Sequence, residues 1–143
     1  MIALALSGCA GGGPFSDRSD LVAEPSNCMP QQFEIYFSES EARLTESARQ
    51  AIGMAAAQLQ GCEIKSVRVL GLASATGDSQ ANTELSERRA VAVQDALVAA
   101  GWPSPAFSVE AVGDAGAVNA DGTTQPLRRR TEVVVDAGPA QRR

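Results

Sequence analysis

The sequence predicts an α/β fold, a two-layer sandwich in which two main helices pack on a mixed four-stranded sheet, in the order β-α-β-α-β-β. Four short segments read as strands, the first alternating apolar and polar residues as a half-buried strand does: Phe33-Glu34-Ile35-Tyr36-Phe37, Ile64 to Leu72, Phe107-Ser108-Val109-Glu110-Ala111-Val112 and Arg130-Thr131-Glu132-Val133-Val134-Val135. Between the first three strands lie two stretches whose apolar residues recur at helical spacing. The length, 143 residues with 44% hydrophobic and 20% charged, suits one core and is short for two. Helices alternating with strands imply right-handed crossovers wherever consecutive strands run parallel.

The chain begins with Met1-Ile2-Ala3-Leu4-Ala5-Leu6-Ser7-Gly8-Cys9. This run resembles the lipobox of bacterial lipoproteins, where the signal is cut before a cysteine that is then acylated. Residues 1–8 lack a preceding Lys or Arg and are short for a signal, so they are expected to be the remnant of a longer one. The alternative is an apolar stub with a free thiol. Acylation at Cys9 by two or more chains would give a lasting membrane anchor, at about 0.8 kcal/mol per buried CH₂. Residues 9–32 are rich in Gly, Pro, Ser and Asp and read as a tether with a mean reach on the order of 25 Å.

The folded domain is expected over residues 33–136. After the first strand, Thr45-Glu46-Ser47-Ala48 opens a helix whose apolar face is Ala48, Ile52, Ala55, Ala56 and Leu59, ending near Gly61. In the second strand Val67 and Val69 face one way. Gly113 to Arg128 is a long loop of Asp, Gly, Asn, Thr and Pro, and residues 137–143 read as a frayed tail. Cys28 precedes the first strand and Cys62 the second. If those strands run parallel, a bridge between these cysteines is geometrically reasonable, contributing roughly 3–4 kcal/mol in an oxidising compartment. Two buried thiols are the alternative.

Composition removes several kinds of chemistry. A net charge of −5 gives no electrostatic footprint for nucleic acid. Arg128-Arg129-Arg130 and Arg142-Arg143 are more simply the start of a strand and a solvated tail than a binding patch. The chain has no histidine, hence no Ser-His or Cys-His nucleophilic pair, and its three scattered cysteines make no zinc site. Gly71-Leu72-Ala73-Ser74-Ala75 is not a Gly-x-Ser-x-Gly elbow, which leaves a hydrolase without its parts. An enzyme is not expected, nor is a cofactor or a metal.

The informative stretch is the second helix, around Asn82-Thr83-Glu84-Leu85-Ser86-Glu87-Arg88-Arg89-Ala90. At about 100° per residue, Leu85, Ala92 and Ala96 form a narrow apolar stripe, and Arg89 falls inside it while Arg88 points away. Burying an unpaired guanidinium costs several kcal/mol, so Arg89 must meet an anion, internal or brought by a ligand. Asp78 or Ser79 is a candidate cap at one end, and Gly101 with Trp102-Pro103 stops the other. Asn82, one heptad before Arg89, adds a second polar group to the buried face. A site at one end of a packed helix follows.

From about Phe33 to Val135 the chain resembles an OmpA-like domain, the peptidoglycan-associating module of outer-membrane proteins and lipoproteins. Ile35-Tyr36-Phe37 with Ala42-Arg43-Leu44-Thr45 is similar to that family's opening, Asn82-x-x-Leu85-Ser86-x-Arg88-Arg89-Ala90 matches its central motif, and Val112-Gly113 and Arg129-Arg130-Thr131-Glu132-Val133 resemble its closing segments. The resemblance implies a ligand, the diaminopimelate stem peptide of peptidoglycan, whose carboxylate and amine are gripped by an arginine and an aspartate. The arginine carries over to Arg89, and Asn82 and Thr76 match polar positions of the same pocket. The aspartate's position is Ser74 here, a neutral hydroxyl, and losing such an ionic partner costs about 2–5 kcal/mol. Asp78 is a possible substitute, and Arg128 stands where the family has an Asn.

Two functions follow. One is a non-catalytic lipoprotein, lipid-anchored to the periplasmic face of the outer membrane, that binds peptidoglycan through Arg89, Asn82, Thr76 and Ser74. The other is a degenerate scaffold for envelope proteins, in which Arg89 pairs with an internal carboxylate.

Overall fold

The computed structural model describes residues 28–75, 77–123 and 128–141. The signal remnant, Cys9 and most of the expected tether lie outside these residues, as does Thr76. The elements are β1 (Gln31–Tyr36), α1 (Glu46–Gln58), β2 (Cys62–Leu72), α2 (Ser79–Ala99), a short 3₁₀ turn (Ser104–Ala106), β3 (Phe107–Gly113) and β4 (Arg130–Pro139). Both helices lie over one face of a four-stranded sheet, as expected for a two-layer α/β sandwich.

The sheet order is β1-β4-β2-β3. β4 runs antiparallel to both β1 and β2, and β3 runs parallel to β2, so β1, β2 and β3 share one direction with β4 inserted against them. A disulfide joins Cys28 to Cys62 with Cα atoms 5.4 Å apart, linking the starts of two like-directed strands that do not pair with each other. β4 continues beyond the expected end of the domain to Pro139, because Ala137, Gly138 and Pro139 pair with Ile64, Glu63 and Cys62. The segment expected to fray is therefore partly strand.

Caps set the helix ends. The Thr45 hydroxyl accepts from the Ala48 amide at 3.1 Å to open α1, and the Asp78 carboxylate accepts from the Ala81 amide at 3.0 Å to open α2. Ala48, Ile52 and Ala55 of α1 are buried, with Leu59 closing that helix. They pack with Ile35, Val67, Val69, Val133 and Val135 of the sheet and with Ala90, Val93 and Leu97 of α2. Burying each larger side chain contributes roughly 1.5–3 kcal/mol. Trp102 closes one end of this core, edge-on to Phe33 at 6.5 Å between ring centroids and tilted against Phe107 at 6.4 Å.

The buried stripe of α2 differs from the expected one. Asn82, Ser86, Arg89, Ala90, Val93 and Leu97 are buried, while Leu85, Ala92 and Ala96 are only half-buried. The helix is turned by about one residue, because Val93 and Leu97 bury more apolar area than the alanines do. Two glycines let it approach the sheet. A Cβ on Gly71 would collide with the Ser86 carbonyl, and one on Gly113, whose φ is 62°, would lie 2.7 Å from the Thr83 hydroxyl oxygen. The Ser86 hydroxyl uses this proximity, donating to the Thr83 carbonyl at 2.8 Å and accepting from the Gly113 amide at 3.0 Å.

Candidate functional site

Arg89 is the largest side chain that is fully buried, with 1% of its surface exposed. Its Nε donates to the Glu41 carbonyl at 2.8 Å, Nη2 to the Ser38 carbonyl at 3.1 Å and Nη1, at the long distance of 3.5 Å, to the Leu72 carbonyl. Its guanidinium carbon lies 5.3 Å from the centroid of the Phe37 ring. One side chain of α2 thus fastens the segment after β1 and the end of β2. Between the two gripped carbonyls, Ser40 has a φ of 57°, a left-handed conformation that a non-glycine residue adopts at a cost of about 1–2 kcal/mol.

None of these acceptors is charged. Among the described residues the ion pairs are Arg49 with Glu46 and Arg130 with Glu34 and Glu132, and none involves Arg89. Burial lowers the Arg89 pKa from its usual value, and repulsion from Arg129 and Arg88 lowers it further. A guanidinium stays charged at neutral pH regardless, so a positive charge sits in the protein with no carboxylate ion-paired to it among the described residues. Of the five N–H donors of an arginine, three serve main-chain carbonyls, which leaves one on each terminal nitrogen.

Arg89 borders a cavity of about 230 Å³ lined also by Glu39, Ser74, Asn82, Leu85 and Arg129, together with Ser40 and Ala73. Three of the four expected site residues, Arg89, Asn82 and Ser74, therefore meet at one opening. Asn82 is held there by Asp114, to which its amide nitrogen donates at 3.3 Å; the Ser79 hydroxyl donates to the other carboxylate oxygen at 3.0 Å. Asp78, the possible substitute for the missing aspartate, is placed elsewhere. Its carboxylate is engaged as the α2 cap and does not line the cavity.

The three consecutive arginines, expected simply to begin a strand, go to three environments. Arg128 is buried and donates to the Ala115 carbonyl at 2.7 Å, bracing the β3–β4 loop beside Asp114. Arg129 lines the cavity, placed by the Phe37 amide donating to its carbonyl at 2.8 Å. Arg130 lies between Glu34 and Glu132. Glu39, Arg129 and Asp114 were not legible as site residues, since a polar Ser-Glu-Ser-Glu loop and a charge run both read as solvated surface.

The OmpA family model matches residues 36–131, which spans the cavity and all the residues around it. The chain belongs to the OmpA family. Relatives include outer membrane protein A of Serratia marcescens, 34% identical over 71% of this chain and 29% of that protein, and outer membrane protein A of Yersinia pseudotuberculosis, 32% identical over 76% and 31%. The chain spans about a third of the length of these two relatives. Solved structures repeat the fold: the OmpA-like domain of FopA1 from Francisella tularensis superposes with a TM-score of 0.66 at 24% identity, covering 78% of this chain and 77% of that one. The peptidoglycan-associated lipoprotein of Burkholderia pseudomallei gives 0.59 at 21%, covering 72% and 89%. The cell wall anchor of the type VI secretion system (T6SS) from Pseudomonas aeruginosa gives 0.60 at 23%, covering 76% and 82%. An OmpA-family domain with outer-membrane relatives is thus the frame for its chemistry.

Proposed function

We propose that this OmpA-family domain is a non-catalytic binder of the peptidoglycan stem peptide, and that in its lipoprotein form Cys9 links the outer membrane to the wall. The observation that carries the proposal is the buried guanidinium of Arg89, a residue lining the cavity, which is ion-paired to no carboxylate among the described residues and has one N–H on each terminal nitrogen not used by the main chain. A guanidinium with two N–H donors to spare suits the free carboxylate of diaminopimelate, which would complete the charge that the protein leaves uncompensated. Asn82, Ser74 and Thr76 are the neutral polar neighbours assigned to the same ligand. Similarity to a peptidoglycan-associated lipoprotein and to a cell wall anchor supports the ligand class. A scaffold without wall binding would be expected to pair Arg89 internally with a carboxylate, and carbonyls take that place.

Co-sedimentation with purified diaminopimelate-type sacculi tests this. The native chain is expected to pellet, and free diaminopimelate to release it in competition. Arg89→Lys, which keeps the charge and loses the fork, should weaken retention about tenfold or more. A native chain that stays in the supernatant overturns the proposal, and competition by diaminopimelate keeps the test decisive even where an Arg89 variant is poorly folded.

A further inference from the structure

Glu39 is the lone acid among the residues lining the cavity, which also carries two guanidiniums, those of Arg89 and Arg129. It neutralises neither of them: no ion pair or hydrogen bond of the Glu39 side chain occurs among the described residues. Its backbone is nonetheless fixed on both sides. Arg89 holds the carbonyls of Ser38 and Glu41, and the Phe37 amide is tied to the Arg129 carbonyl. A cavity-lining residue with an anchored main chain and an unengaged carboxylate can accept a cation without reorganising the loop, while Ser74 offers only a hydroxyl.

We infer that Glu39 is the ammonium acceptor of this site, so that the cavity selects a ligand end bearing both a free carboxylate, held by Arg89, and a free amine, held by Glu39. The assignment rests on the proposed wall ligand for its chemical class and adds a specificity residue that lies on the β1–α1 segment, away from the end of β2. Glu39 is exposed, so replacing it leaves the core untouched.

The test compares three small probes by calorimetry on the whole chain: diaminopimelate, its N,N′-diacetyl derivative and pimelate. The first has amine and carboxylate, the other two carboxylates alone. Native protein is expected to prefer diaminopimelate over both by about tenfold or more, the size of effect expected for one charge-assisted contact. Glu39→Gln should abolish that preference by weakening diaminopimelate without weakening pimelate, and Glu39→Asp should restore part of it. A Glu39→Gln protein that discriminates as the native one does overturns the assignment and leaves wall binding intact. Discrimination by diaminopimelate in a protein that does not pellet with sacculi supports Glu39 and sinks the wall proposal. No binding of any probe overturns both.

Discussion

The five N–H groups of Arg89 are divided between two tasks, and this division decides what a substitution there means. Three shape the protein and two remain for a ligand, so Arg89→Ala should lose both, with stability falling by about 3 kcal/mol or more as three main-chain carbonyls lose their donors. Tyr36, the chain's one tyrosine, gives an independent check on the far end of β1. Its hydroxyl donates to Glu34 at 2.7 Å, and chiefly through that bond its pKa is raised above the usual value near 10. A folded value above the unfolded one means that the stabilisation is present below the unfolded pKa and is lost as pH rises through the folded pKa. Phenolate absorbance should therefore appear above the pH of free tyrosine and shift back down in Glu34→Gln; a native titration at the ordinary value would show that the bond does not persist in solution.

At the scale of elements, the approach of α2 to β2 and β3 determines where Arg89 lies. Gly71→Ala drives a methyl group into the Ser86 carbonyl, a backbone atom that cannot rotate away. Overpacking of this kind costs about 1–3 kcal/mol, and urea denaturation should find the loss at the upper end, with sacculus retention reduced because Arg89 and Asn82 move with the helix. Full stability in that variant would mean that the helix is not held as described. Much of this layer was legible in advance. Short apolar runs located the four strands, Thr45 and the pair Asp78-Ser79 marked helix starts, and the spacing of Asn82 and Arg89 put both on a buried face. The exact face was not legible, because alanines at positions 90, 92 and 96 weigh almost equally in a helical wheel and Val93 and Leu97 decide it only through packing. Nor was the grip on Ser38 and Glu41, since main-chain carbonyls carry no side-chain signature.

For the whole molecule, the Cys28–Cys62 disulfide closes a 34-residue separation that contains β1 and α1. The loop-entropy relation puts its contribution at about 3–4 kcal/mol. Cys28→Ser, or reduction of the native chain, should lower the denaturant midpoint accordingly without changing pimelate binding, since the bridge does not line the Arg89 cavity. An unchanged midpoint would remove the bridge from the stability of the fold.

The position of β4 has a consequence for how such a chain comes into being. It is the last described strand in sequence yet stands between β1 and β2, and β1 has no other strand partner among the described residues. While the chain is being synthesised or threaded from its N-terminus, β1 has no ladder to join until Arg130 and the residues after it arrive. Contacts across that much sequence form late and slowly. β2 and β3 pair directly and can do so before then, so the step that waits for the last strand is the joining of β1 to the rest of the sheet.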